Sequence, residues 1–217
     1  MFVGHLALGL AAKRPAHTVG LAWLVAAVIT ADLAWPVFLL LGIETVRIVP
    51  GATAFNPLVF DSYPWSHSLV MGVAWGVALA TLARWRGVVG FPSMLIVVLV
   101  LSHWLLDFVT HAPDMPLWPG PSPHFGLGLW NSIPGTFVVE GAMWIVGIAV
   151  YLRTNPLRGW GSYVAFWSFV VICTAMWGAS PWSPPPPNAD ALGWFALGGW
   201  LMIPWAALAD RRPTNVT

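Results

Sequence analysis

The sequence predicts an all-α fold: a polytopic membrane helical bundle of about six transmembrane helices plus a short N-terminal helix, in one integral membrane domain over residues 1–217. Three observations carry that expectation. The chain is 58% hydrophobic and 8% charged, against roughly 25% charged residues in a soluble domain, so it lacks the polar surface to face water on all sides. Six apolar stretches, at 18–41, 67–83, 88–111, 134–152, 160–179 and 189–209, approach or exceed the ~17–25 residues that span a bilayer. Finally, Lys13, Arg14, Arg84, Arg86, Arg153, Arg158, Arg211 and Arg212 fall on one side if all six stretches cross, and only Arg47 falls on the other. By the positive-inside rule both termini are then cytoplasmic.

Taken in order, "MFVGHLALGLAAKRP" has its basic residues after its apolar stretch, an order that argues against a secretory signal peptide. It reads as a short helix preceding the first span. The segment 42–66 is rich in Pro, Gly and Asn, which break long helices, and its length suggests a cap over the outer face. The outer segment 112–133 is also Pro/Gly-rich, and "SPPPPN" makes an extended spacer before the sixth span. The inner connections are short and basic, so the elaborated outer loops point to function on that side. Trp residues near the run ends suit the bilayer interface. A net charge of +1 gives no electrostatic case for nucleic acid. Cys173 is alone within span five and reads as a small buried apolar residue.

Ionisable residues inside a span are costly, by roughly 2.5–3.5 kcal/mol for a mid-span Asp, and mark function by default. Here Asp32 lies in span one, His67 opens span two, His103 and Asp107 lie in span three with His111 at its end and Asp114 just beyond, and Glu140 lies in span four. At 1.5 Å per residue Asp32, His103 and Glu140 all fall roughly 20–22 Å above the inner boundary, with Asp107 near 28 Å. Four spans thus bring an ionisable side chain to the same outer third of the bilayer. The mixed His/carboxylate set suits a divalent metal, Zn first, with Mn, Fe or Ni also compatible. The i, i+4 spacing of His103 and Asp107 lets both reach one ion. A second ion also fits the size of the set. Each member has a plainer reading as a helix-stitching hydrogen-bond partner or a hydrated boundary residue, which is strongest for His111 and Asp114. His17, His124, Asp61 and Glu44 read as ordinary surface or loop residues. His5 is open on spacing: an inserted half-helix brings it to the cluster from below, and a surface helix leaves it outside.

The stretches "VGHLALGLAAK", "ADLAWP", "PWSHSL" and "LSHWLLDFVTHAPDMPLWP" resemble, in order and form, those of bacterial membrane-bound metal-dependent hydrolases, inner-membrane proteins related to the LexA-regulated one. The resemblance covers roughly the first half of the chain, residues 1–120. It implies His5, Asp32, His67, His103 and Asp107 as metal ligands and an inner-membrane location. Ala31 and Ala34 stand where that pattern has Pro and a second Asp, which bears on whether one metal or two is held. The expectation is a metal-dependent hydrolase acting on a lipid-borne or membrane-proximal ester or phosphoester, with membrane lipid as surroundings and a lipid-like or small-molecule substrate. Glu140 or Asp114 would then be the general base. The alternatives are a transporter whose polar cluster binds metal or relays protons, and a metal-stabilised protein without turnover.

Overall fold

The computed structural model describes residues 1–210; Arg211 and Arg212, on which part of the orientation argument rests, lie outside the described residues. The described chain is a helical bundle with two short antiparallel hairpins.

The first helix, α1 (Val3–Ala11), is apolar on every side except at His5, and a helix of that kind belongs in an interior. Val3, Leu6 and Leu10 are fully buried, so α1 lies inside the bundle rather than on its surface. The first apolar run forms two helices, α2 (Leu21–Val28) and α3 (Thr30–Leu40), bent by 56°. No Gly or Pro stands at the break. Thr30 Oγ1 donates back to Ala26 O (2.7 Å) and Ala27 O (3.2 Å), a pattern that bends helices, and Ile29 leaves helical geometry at φ −113°, ψ 15°.

The segment 42–66 is more regular than an irregular cap. Its β-branched residues pair as a hairpin, β1 (Thr45–Ile48) with β2 (Leu58–Ser62), fastened on its exposed face by Arg47 to Asp61 at 2.7 and 2.8 Å. One turn, α4 (Pro64–His67), follows and stops at extended Ser68. The Ser68 hydroxyl accepts from Met71 N (3.3 Å) and so caps α5 (Leu69–Trp85). Next come α6 (Phe91–Thr110), a two-residue pairing of β3 (Met115–Pro116) with β4 (His124–Phe125), α7 (Ile133–Thr154), α8 (Trp160–Ala179), α9 (Ala189–Ala196) and, after a 3₁₀ segment at Leu197–Leu201, α10 (Met202–Ala209).

Four helical runs are long and apolar enough to cross a membrane: α6, α7, Trp160–Trp182 and Ala189–Ala209; the bent α2–α3 pair makes a fifth if it is one span. The expected six therefore become four or five among the described residues. The missing one is α5. It runs past the break at Ser68 as 17 residues, the same length as the predicted stretch 67–83 but displaced beyond His67, about 25 Å of helix against a ~30 Å hydrocarbon core.

Two features fix α1 in the bundle. At its far end Lys13 Nζ reaches Asp210 Oδ2 (2.5 Å) and Val19 O (2.7 Å). The same carboxylate accepts from Leu21 N (2.9 Å), Asn155 Nδ2 (2.9 Å) and Tyr151 OH (3.2 Å), so α1, α2, α7 and α10 meet on one partly buried, paired charge. Along its length α1 lies on α7 at Gly147, where a Cβ would come within 2.6 Å of Ala7 O. Gly147→Leu is expected to push α1 off α7 and to destabilise the detergent-solubilised protein by roughly 1–3 kcal/mol. Gly161→Ala, with nothing within 4 Å of the added atom, is expected to leave the thermal unfolding midpoint unchanged; a melting curve of each variant checks both.

Candidate metal centre

The centre is built from four helices and one helix end. Helix α6 presents His103 and Asp107 one turn apart on its buried face, and His111 follows as its C-cap residue. Helix α1 contributes His5, the first turn of α3 contributes Asp32, and the last residue of α4 contributes His67.

Asp107 is the hub. Its Oδ1 lies 3.0 Å from His5 Nε2, and its Oδ2 lies 3.0 Å from His103 Nε2, 3.9 Å from His67 Nε2 and 4.0 Å from His111 Nε2. The nitrogen of Met1 also lies against Asp107 Oδ1. Asp32 Oδ1 stands 3.6 Å from His67 Nε2 and 3.8 Å from His103 Nε2. Two overlapping triads have donor atoms within 4.8 Å of one another: His5, His103, Asp107 and Asp32, His67, His103. Ligands around a tetrahedral zinc ion are about 3.3 Å apart, given bonds of ~2.0–2.1 Å. The spacing fits such a group.

The hydrogen bonds on the outer side of the rings say which nitrogen carries a proton. His103 Nδ1–H donates to Val28 O (2.8 Å). His111 Nδ1–H donates to Asp114 Oδ1 (3.0 Å), which also accepts from Tyr63 OH (2.6 Å). His67 Nδ1 lies 2.7 Å from Ser66 Oγ. A neutral His103 or His111 ring is then left with a bare Nε2 directed at the carboxylates. His103 Nε2 has no hydrogen-bond partner although it is buried and 3.0 Å from Asp107 Oδ2. A lone pair facing a carboxylate at that distance is repulsive without a cation between them. His5 stacks on His103 with ring centroids 3.8 Å apart and planes 5° from parallel, an arrangement suited to neutral imidazoles rather than to two charged ones.

All six expected metal-binding residues therefore gather in one place, with His111 at its edge. The two expected bases sit differently. Glu140 Oε2 accepts from Phe2 N (2.9 Å) and Gly4 N (3.3 Å) at the start of α1, while its Oε1 is buried without a partner. Asp114 is held by His111 and Tyr63, outside the ring of bare nitrogens. His17, His124 and Asp61 are exposed, as expected. Glu44 is not an ordinary loop charge. It is 1% exposed, accepting from Trp65 N and Ser66 N (2.8 Å each) and from Ser66 Oγ (2.7 Å). Burial raises its carboxyl above the ordinary range, and these donors offset only part of that rise. Burial likewise lifts the Tyr63 phenol well above its usual value, so it stays a donor to Asp114. The available sequence signal was the polar residue next to each histidine, Ser66 before His67 and Asp114 shortly after His111; Glu44 had none.

Asp107→Asn tests the metal centre. Added Zn²⁺ is expected to raise the unfolding midpoint of chelator-treated wild type and to leave that of the variant unchanged, whatever the variant loses by breaking the buried pair between Asp107 and the Met1 ammonium. An imidazolium–carboxylate cluster would show no Zn²⁺-dependent shift in either protein; thermal unfolding with and without Zn²⁺ decides. No protein family, curated protein or solved structure matches the chain.

Proposed function

We propose that the protein is a metal-dependent hydrolase embedded in the bacterial inner membrane, acting on a lipid-borne or membrane-proximal ester, most simply a phosphoester. The observation that carries the metal is the bare, buried His103 Nε2 facing Asp107 Oδ2 at 3.0 Å while Nδ1 is committed to Val28 O. His5, Asp32, His67, His103 and Asp107 would hold the ion, zinc before manganese or iron. The resemblance to membrane-bound metal-dependent hydrolases names the same five residues. A zinc ion bound there lowers the pKa of a coordinated water to about 7 and polarises the scissile group.

The chain's own groups supply the rest. Asp32 is the open wall, with its side chain 44% exposed beside buried His67 and His103, so substrate approaches past it. Glu140, its Oε2 fixed by the start of α1 and its Oε1 without a partner, is placed to take a proton. Buried α1, with Leu6 and Leu10 fully covered, closes the bundle below the cluster. A closed pocket favours chemistry over transport.

A lipid-borne substrate is supported by a cavity of about 530 Å³ between α2–α3, α5 and α10, lined by Trp23, Leu33, Val37, Trp75, Leu82 and Ile203 among others. Its one polar lining residue, Thr30, has its hydroxyl tied to Ala26 and Ala27. Trp75 also lines the small pocket that holds His67 and His103, so an acyl chain in the groove would have its head beside the cluster.

Purified full-length protein is expected to contain zinc by elemental analysis, with His103→Ala and Asp107→Ala metal-poor. It is also expected to release headgroup from mixed phospholipid micelles in a chelator-sensitive way. Metal-free wild type overturns the metal reading, and metal-loaded protein without chelator-sensitive release overturns the hydrolase. Filling the groove with Ala34→Trp is expected to lower turnover of long-chain substrates about 10-fold or more while sparing short-chain analogues; equal loss on both would remove the groove from substrate binding.

A further inference from the structure

We infer that Glu44, acting through Ser66, is a positioning residue that sets the tautomer of His67 and with it the affinity of the centre, an inference that rests on the metal reading above. Glu44 lies on neither the helix of His67 nor any other ligand-bearing helix. It comes from the foot of the β1–β2 hairpin and is buried. Its Oε1 faces two backbone N–H groups, Trp65 and Ser66 at 2.8 Å each, which can only donate. Its Oε2 faces Ser66 Oγ at 2.7 Å. An ionised carboxylate has only lone pairs to offer, so the single hydroxyl proton of Ser66 goes to Glu44. Ser66 Oγ can then meet His67 Nδ1, 2.7 Å away, only as an acceptor. Nδ1 therefore carries the ring proton, and Nε2 turns a lone pair toward Asp32 Oδ1 and Asp107 Oδ2 at 3.6 and 3.9 Å. Outer partners of this kind fix ring orientation and raise ligand basicity.

A nearly isosteric change tests the proton logic rather than the packing. In Glu44→Gln the amide oxygen stays on the two backbone N–H groups, so the amide nitrogen donates to Ser66 Oγ. The serine proton must then turn to His67 Nδ1 at 2.7 Å or to Tyr63 O at 3.3 Å. The shorter contact wins, and the ring proton moves to Nε2, where it blocks ligation. Ser66→Ala only removes the outer partner. The two changes are therefore not additive: Glu44→Gln is the more harmful alone, and adding Ser66→Ala relieves it by removing the proton that the new amide misdirects.

The experiment titrates Zn²⁺ into chelator-stripped full-length protein in detergent micelles, against an indicator of known affinity, with Co²⁺ absorption spectra beside it. Glu44→Gln is expected to lose about 10–100-fold in affinity and to give a Co²⁺ spectrum with one imidazole fewer. Ser66→Ala should lose less, the double variant should match Ser66→Ala, and Asp61→Asn on the exposed face of the hairpin should match wild type. Affinity of Glu44→Gln within about twofold of wild type overturns the inference, as does a double variant weaker than Glu44→Gln. Should Glu44→Gln not fold, Ser66→Ala decides: wild-type affinity there overturns the inference equally. Wild type that binds no Zn²⁺ overturns the metal reading itself, whereas wild type that binds while the variants do not differ overturns the inference alone.

Discussion

The hydrogen bond from His103 Nδ1 to the Val28 carbonyl joins the bend in the bundle to the chemistry of the centre. In an apolar interior every polar backbone group needs a partner, and a helix that stops leaves its last carbonyls without intrahelical donors. Helix α2 stops at Val28, and α3 restarts at Thr30 in a direction 56° away. His103 covers the carbonyl exposed by that break. In return the carbonyl fixes the ring so that Nε2 faces Asp32 and Asp107. The restart also places Asp32 in the first turn of α3, where the positive end of the helix dipole favours a carboxylate. A straight first span would offer neither a partner to His103 nor a helix start to Asp32.

The centre was legible in the sequence to the extent that it follows from depth and period. His103 and Asp107 share a helix face by spacing alone, and counting residues from the span ends brings Asp32 and Glu140 level with them. His5 was not determined by spacing, because a helix inserted from the Lys13 side lifts it only ~12 Å, short of the depth of His103, and a surface helix does not lift it at all. The packing that decides it, Gly147 under Ala7 and Asp210 under Lys13, joins residues far apart in the chain. The break at Ile29 was hidden for another reason: its cause is a threonine hydroxyl bonding back one turn, while the visible breaker, Pro36, lies within continuous α3. The bounds of α5, not its length, were misplaced, because hydropathy runs through Ser68, where the backbone turns extended.

Glu44, behind Ser66 and His67, was illegible for a related reason. Charge in a Pro/Gly-rich segment reads as solvated, and for Asp61, paired with Arg47 in the open, that reading suffices. Glu44 differs only in where the hairpin puts it. The two feet of that hairpin, Glu44 before β1 and Tyr63 after β2, reach two different histidines, one through Ser66 to His67 and the other directly to His111 and Asp114. Through them, an element on the surface of the bundle bears on the orientation of rings that α4 and α6 carry.

Helix α3 separates two environments, an apolar groove and the His/Asp cluster. Thr30, Leu33, Ala34 and Val37 recur at helical spacing along the apolar groove. Asp32 lies on the other side of the helix, toward His67 and His103. Contact between the two sides runs around the helix, where Ala31, Ser68 and Gly72 surround the small pocket and Trp75 belongs to both cavities. Under the proposed function the departure from the family pattern at Ala31 and Ala34 acquires a physical sense. Ala34 lines the groove where a second carboxylate would sit in apolar surroundings, and Ala31 lines the pocket beside the histidines. A chain with carboxylates at both 32 and 34 would charge both sides of α3. This one charges only the side that faces the histidines and leaves the other to hydrocarbon, which favours a single ion and a substrate held by its tail.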